Sequence, residues 1–161
     1  MEGGKMQKYL AVFLVAMVPL IEIRGAVPIA LGMDLPLIPS MIVCVLGNMA
    51  PVPIIYLFAR KFLIWGAKQK HIGKFCGFFL EKGEKAGQKL VAKTGRGGLA
   101  VALMIFVGIP LPGTGAWTGT LGASFLDMGP KTTTIAVCLG VIMSGTIMTI
   151  ISLLGLHILG F

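Results

Sequence analysis

The chain has 161 residues, of which 56% are hydrophobic and only 12% charged, with a mean hydropathy of +0.92 and a formal net charge of +8. Soluble domains carry about 25% charged residues, so the composition excludes one and reads as an integral membrane protein in a single membrane domain. The basic balance does not indicate a nucleic-acid partner either, because the cations flank apolar segments and no reading motif accompanies them.

At the N-terminus, Lys5 and Lys8 precede an apolar stretch, but "EIRG" follows where a signal peptide needs small residues for cleavage. A hydrocarbon core of about 30 Å takes roughly 20 helical residues to cross. Tyr9 to Ile21 and Gly25 to Met33 are each too short for that. They are predicted as the two arms of a re-entrant hairpin over 9–33, with the Glu22 to Gly25 region at or near its turn. A full span follows at 40–60, and together these make a first repeat at 9–61. Within the span, "GNMAPVP" places Asn48, Pro51 and Pro53 at depth. A break there would free backbone groups for a substrate or ion, although an ordinary kink fits the same residues.

The segment 62–97 is different in kind. Ten of the fourteen Lys and Arg fall between Arg60 and Arg96, which makes this connector cytoplasmic by the positive-inside rule. Ile72, Phe75, Cys76, Phe79, Leu80, Gly83, Gly87, Leu90 and Val91 recur at helical spacing, with most lysines off that stripe. The pattern predicts an amphipathic helix at the membrane interface, supported by an i, i+4 pair of Glu81 and Lys85. Its basic side would either attract anionic headgroups or simply fix orientation.

A second repeat, 98–160, mirrors the first, with a hairpin at 98–126 and a span at 131–157. The hairpin turns at "GIPLPGTGAWTG", where Pro110 and Pro112 each remove a backbone donor and Gly113 and Gly115 permit a tight turn. The amides of that turn, with Thr114 and the start of a helix at Trp117, would form an anion nest. Its spacing, G-x-G-x-x-x-G with no strand before it, is not a dinucleotide fingerprint. At an offset of ninety, Gly25 and Ala26 match Gly115 and Ala116, and Leu31 and Gly32 match Leu121 and Gly122. With a slip of three or four, "VCVLG" at 43–47 echoes "VCLG" at 137–140. A hairpin plus one crossing inverts the second repeat relative to the first, a symmetry that many secondary transporters use. The alternative is a broken helix through 9–33 and four full crossings.

Glu22 and Arg24 form an ionisable pair predicted at membrane depth, and such a pair is functional by default. Glu22 could take up and release a proton, and Arg24 could hold a carboxylate or phosphate. A purely structural ion pair pinning the hairpin tip is the competing reading. Asp34, Asp127, Lys131, His71 and His157 read as ordinary interface residues. Cys44, Cys76 and Cys138 read as small apolar side chains, with no disulfide, metal site or cofactor expected. No Ser/His, Asp/Asp or metal-ligand set falls at depth, so an enzyme is not expected.

"EIRGAVP", "GNMAPVP" and "IPLPGTGAWTG" resemble the motifs of the small multidrug export protein family, over most of the chain. That family is similar, in its paired re-entrant hairpins, to the DedA/VTT (SNARE-associated) superfamily of lipid translocases. The resemblance implies an acidic functional residue at Glu22. The superfamily's arginine-rich second-hairpin motif is not kept, since 108–119 contains no arginine.

The reading is an all-α, multi-pass cell-membrane protein. It would move an amphipathic anionic substrate such as a lipid phosphate, with proton coupling, among membrane lipids. A homodimer would enclose such a site more easily than one copy. The site would comprise Glu22, Arg24, Gly25, Pro28, Asn48, Pro110, Pro112, Gly113, Thr114, Gly115 and Trp117. A proton-coupled exporter of lipophilic cations and a non-transporting lipid organiser are the alternatives.

Overall fold

The computed structural model of the protein describes residues 2–69, 73–111 and 113–159. Within these, the side chains at 2, 3, 60, 63, 75, 79, 80, 82–84, 86, 87, 90, 91 and 156–159 fall outside the description. Seven helices follow in order: α1 (Glu2–Met17), α2 (Glu22–Gly32), α3 (Leu37–Met49), α4 (Val52–Ala67), α5 (Gly73–Gly108), α6 (Ala116–Phe125) and α7 (Pro130–Leu159). No strand occurs among the described residues.

Each break has a local cause. Between α1 and α2 the chain reverses through 18–21, with Leu20 and Glu22 both in the left-handed region at φ 74° and 51°. That conformation costs an L-residue about 1–2 kcal/mol, so surrounding contacts must hold it. Between α3 and α4, Pro51 has no N–H to offer the carbonyl one turn back, and Pro53 sits where a helix tolerates proline, in the first turn of α4. Within α5, Gly95 adopts φ 69° and ψ 170°, separating the connector from a second arm that runs to Gly108. The arm then ends against Pro110.

Two stretches are long and apolar enough to cross a membrane, Leu37–Ala67 and Pro130–Gly155, with mean hydropathies of 2.0 and 2.2. They include the predicted span at 40–60 and all but the last two residues of that at 131–157. Their outward faces carry Ile42, Leu46, Ile54, Leu57, Ile135, Leu139, Ile142 and Ile150, all exposed. So large an apolar surface has no place in water and suits lipid. Phe58, Phe62 and Trp65 form an exposed ladder along the end of α4, with successive ring centroids 6.3 and 6.1 Å apart. Aromatic rings of this kind sit at the membrane–water boundary.

The core is closed by glycines on the long helices. A Cβ on Gly47 would stand 2.5 Å from the Phe13 carbonyl and 3.0 Å from the Ala16 Cβ, so α3 lies directly on α1. On α7, a Cβ on Gly140 would stand 2.7 Å from both the Met104 carbonyl and the Val107 Cβ, so α7 meets α5 in the same way.

These pairs belong to a longer series with one spacing, 93 residues. Asp34 and Asp127 are both left-handed, at φ 58° and 54°. Just after them, Leu35 N–H donates to Ala30 O and Met128 N–H to Ala123 O. Ser40 Oγ donates to the Pro36 carbonyl at 2.7 Å and Thr133 Oγ1 to that of Gly129 at 2.8 Å. Gly47 and Gly140 complete the series. The register corrects the sequence alignment in the hairpin arms, where matching Leu31 to Leu121 is three residues short. Small residues recur there every three or four positions, so the sequence aligns with itself nearly as well after slipping almost one helical turn.

Of the connector's apolar stripe, Cys76 is buried, while Lys74, Glu81, Lys85 and Lys89 are exposed and Glu81 pairs with Lys85. Ile72 and His71, and the side chains of Phe75, Phe79, Leu80, Gly83, Gly87, Leu90, Val91 and His157, lie outside the described residues. Lys8 donates to the Met33 carbonyl at 2.8 Å, satisfying an acceptor at the end of α2.

Candidate functional site

A broken helix leaves unsatisfied amides at one end and carbonyls at the other, and in an apolar surrounding each must find a partner. Here the two breaks supply partners for each other. The Glu22 carboxylate reaches across to the start of α6, where Oε1 accepts from Trp117 N–H at 3.1 Å and Oε2 from Ala116 N–H at 3.3 Å. In return, the Trp117 indole Nε1–H donates to the Met17 carbonyl at the end of α1, at 3.1 Å. Each tip therefore caps a helix of the other.

Arg24 adds two further bonds across the same gap. Its Nη1 donates to the Leu111 carbonyl and its Nη2 to Thr114 Oγ1 at 3.1 Å. The Thr114 hydroxyl in turn lies 2.8 Å from the Ile109 carbonyl and 2.9 Å from that of Leu111, so it ties the guanidinium to the turn. Between themselves Glu22 and Arg24 approach only to 3.9 Å. The pair is thus less a local salt bridge than two side chains directed into the opposite tip. Arg24 Nε is buried with no partner among the described residues.

Gly115 makes the approach possible. Its backbone is extended, with φ 164° and ψ −172°, so conformational freedom is not why glycine stands there. Space is the reason: a Cβ would fall 1.9 Å from Glu22 Oε2 and 2.9 Å from Arg24 Nη2. Gly113, by contrast, does need its positive φ of 84°.

Beside these groups is a pocket of about 170 Å³ lined by Pro19, Leu20, Glu22, Arg24, Gly113, Thr114, Trp117, Thr118 and Leu121. Five of the eleven residues singled out in the sequence, Glu22, Arg24, Gly113, Thr114 and Trp117, line it, and Gly115 sits directly behind. Gly25 instead packs tightly on Ile21, Pro28 lies inside α2 and Pro110 lies in the loop after α5. Pro112 lies outside the described residues. Asn48 is fully buried at the α3–α4 break and does not line the pocket, and neither polar atom of its amide has a partner among the described residues. Thr120 and Ser144 share that state, each with a buried hydroxyl that donates to nothing among the described residues.

The anion nest expected at the α6 start is therefore filled by the protein's own carboxylate. Sequence reading also missed the clamp that holds α6 to α4: Ser124 Oγ donates to the Tyr56 carbonyl at 3.1 Å, and Tyr56 Oη accepts from Gly129 N–H at 3.0 Å. Tyr56 is one of only two tyrosines, and a buried hydroxyl needing a partner was the available signal. Among the described residues no group of three or more His, Cys, Asp or Glu stands together to hold a metal, and the three cysteines are free thiols.

Helices suited to crossing a membrane, an apolar outer surface and a polar junction between two broken segments define a small helical membrane protein. The chain belongs to the family described as Putative small multi-drug export protein, whose model matches residues 22–147. The match opens at Glu22, just after the first reversal, and takes in the second break. No curated protein and no solved structure matches the chain.

Proposed function

We propose that this export-family protein is a proton-coupled translocase of an amphipathic anionic substrate, such as a lipid phosphate, working through two re-entrant hairpins related by an inverted repeat. The observation that carries the reading is the Glu22 carboxylate bound to the amides of Ala116 and Trp117. A helix N-terminus attracts negative charge, and Arg24 stands within the same pocket. An anionic headgroup entering there competes with Glu22 for the same donors.

Protonation resolves the competition. A neutral carboxyl loses its attraction to the helix dipole and one of its acceptor positions, so the amides and Arg24 pass to the incoming anion. The proton and the anion are then bound together, which is symport at one proton per substrate molecule. When the anion leaves, Glu22 loses its proton and recaps α6. The recurrence at 93 residues supports the inverted repeat, because a hairpin and one span between equivalent points reverse the chain's direction across the membrane. We assign the protein no catalytic chemistry.

The family's description favours a second reading, export of lipophilic cations. In that case Glu22, once released from α6, binds the cation, and proton and substrate exchange rather than travel together. The sign of the coupling separates the two. In proteoliposomes loaded with a fluorescent lipid phosphate, an imposed proton gradient drives the lipid in the direction of proton flow under the symport reading. Movement of a lipophilic cation against proton flow, surviving Arg24→Ala but lost in Glu22→Gln, supports the exporter instead.

A further inference from the structure

A second feature lies away from the Glu22 pocket. Between the arm of α5 that follows Gly95 and the first half of α7 runs a groove of about 250 Å³, lined by Ala100, Val101, Met104, Lys131, Thr132, Ile135, Ala136 and Leu139. Six of these eight residues are apolar. From Lys131 to Leu139 the groove follows α7 for roughly 12 Å at about 1.5 Å per residue. Its walls face outward: Val101, Ile135 and Leu139 are about half exposed or more, on the face suited to lipid. Lys131 and Thr132 stand at one end, and a smaller recess adjoins them through Thr132, lined also by Arg96, Leu99, Leu126, Asp127 and Met128.

An apolar channel in a bilayer-facing surface, closed at one end by cations, has the form of a single amphiphile. We propose that this groove holds the acyl chain of an anionic phospholipid whose phosphate sits between Arg96 and Lys131. Neither cation has a hydrogen-bond or ion-pair partner among the described residues, while Asp127, in the same recess, is already engaged within the protein. The first turn of α7 adds amides and a positive dipole end at Lys131 and Thr132, and the Thr132 hydroxyl lies on the same rim.

Charge also identifies the leaflet. The cationic end is at the connector side, where positive charge is concentrated, whereas at the 93-residue spacing Ile38 stands where Lys131 does and Lys8 is already bound to the Met33 carbonyl. The lipid is thus resident on one side, independent of the substrate handled at Glu22. Because it occupies the seam between α5 and α7, it would hold the second arm against its long helix.

The test uses the full-length protein in mixed micelles, with native mass spectrometry counting bound phosphatidylglycerol against bound phosphatidylcholine. Phosphatidylglycerol is expected to be favoured, and Arg96→Gln and Lys131→Gln are each expected to reduce the preference about fivefold, the effect of one cation at a lipid surface. Lys85→Gln, which removes an exposed connector cation outside the groove, is expected to leave it unchanged, which separates the groove from general surface charge. Equal binding of the two lipids by the wild type would overturn the proposal. So would a preference that the Arg96→Gln/Lys131→Gln variant keeps in full while still unfolding cooperatively, or one that falls as much in Lys85→Gln as in Lys131→Gln. Thermal stabilisation by inorganic phosphate equal to that by phosphatidylglycerol would overturn it too, since the acyl chain would then contribute nothing.

Discussion

Glu22 is held at φ 51° within a turn that also places Leu20 in the left-handed region, and its carboxylate accepts two amides from a helix 94 and 95 residues away in sequence. Backbone strain of this kind persists only where neighbouring contacts fix it, so the cap on α6 and the turn at 18–21 stand or fall together. Glu22→Gln keeps one acceptor but sets an N–H₂ against the second amide. We expect a loss of about 1.5–3 kcal/mol, the range for a hydrogen bond to a charged group, read by thermal unfolding in detergent. If the residue served only as Arg24's counter-ion, Glu22→Gln/Arg24→Gln would restore stability. Because Glu22 also caps α6, the double substitution is expected not to do so. Gly115→Ala tests the same contact from the other side. Its methyl carbon would overlap the carboxylate, and overpacking typically costs about 1–3 kcal/mol, so a lowered melting temperature and disrupted transport are expected. Unchanged stability would mean that the tips are not in contact.

At the scale of elements, the close approaches at Gly47 and Gly140 decide how the arms lie on the long helices. Gly47→Ala and Gly140→Ala each drive a Cβ into a backbone carbonyl, which cannot yield as a side chain does. Each is expected to destabilise by about 1–3 kcal/mol. Gly122, inside α6, has nothing within 4 Å of an added Cβ. Gly122→Ala should leave stability unchanged or raise it by up to about 1 kcal/mol, as denaturant titration would show. Three equal losses would indicate that α6 is packed more closely than described. Much of this was legible in the residues: prolines and glycines marked the breaks at 50–51 and 109–115, and hydropathy marked the two long stretches. The repeat's register was not, because Ala and Gly at one-turn intervals align with themselves after a slip. The cross-caps were also hidden. Glu22 and Trp117 stood out, but sequence gives no distance between a carboxylate and an amide ninety residues on, so the α6 amides read as open to a ligand when they are held by Glu22.

At the scale of the molecule, one spacing relates the turns at Asp34 and Asp127, and the inverted repeat we propose would put them on opposite sides of the membrane. With Cys44, Cys76 and Cys138 replaced, Asp34→Cys and Asp127→Cys are expected to react with an impermeant thiol reagent from opposite faces. Reaction from the same face would favour four full crossings. Composition was enough to read a membrane protein, and the family match agrees with it. The polar contacts that join the halves depend on tertiary placement that no local pattern records. The central claim is that protonation of Glu22 exchanges an internal anion for a transported one. Simultaneous recording of proton uptake and lipid-phosphate movement in proteoliposomes tests it most directly. One proton should enter with each substrate molecule moved, and Glu22→Gln should abolish both fluxes while the protein remains folded. Lipid-phosphate movement that continues at the wild-type rate in Glu22→Gln, or with no accompanying proton, would contradict the account.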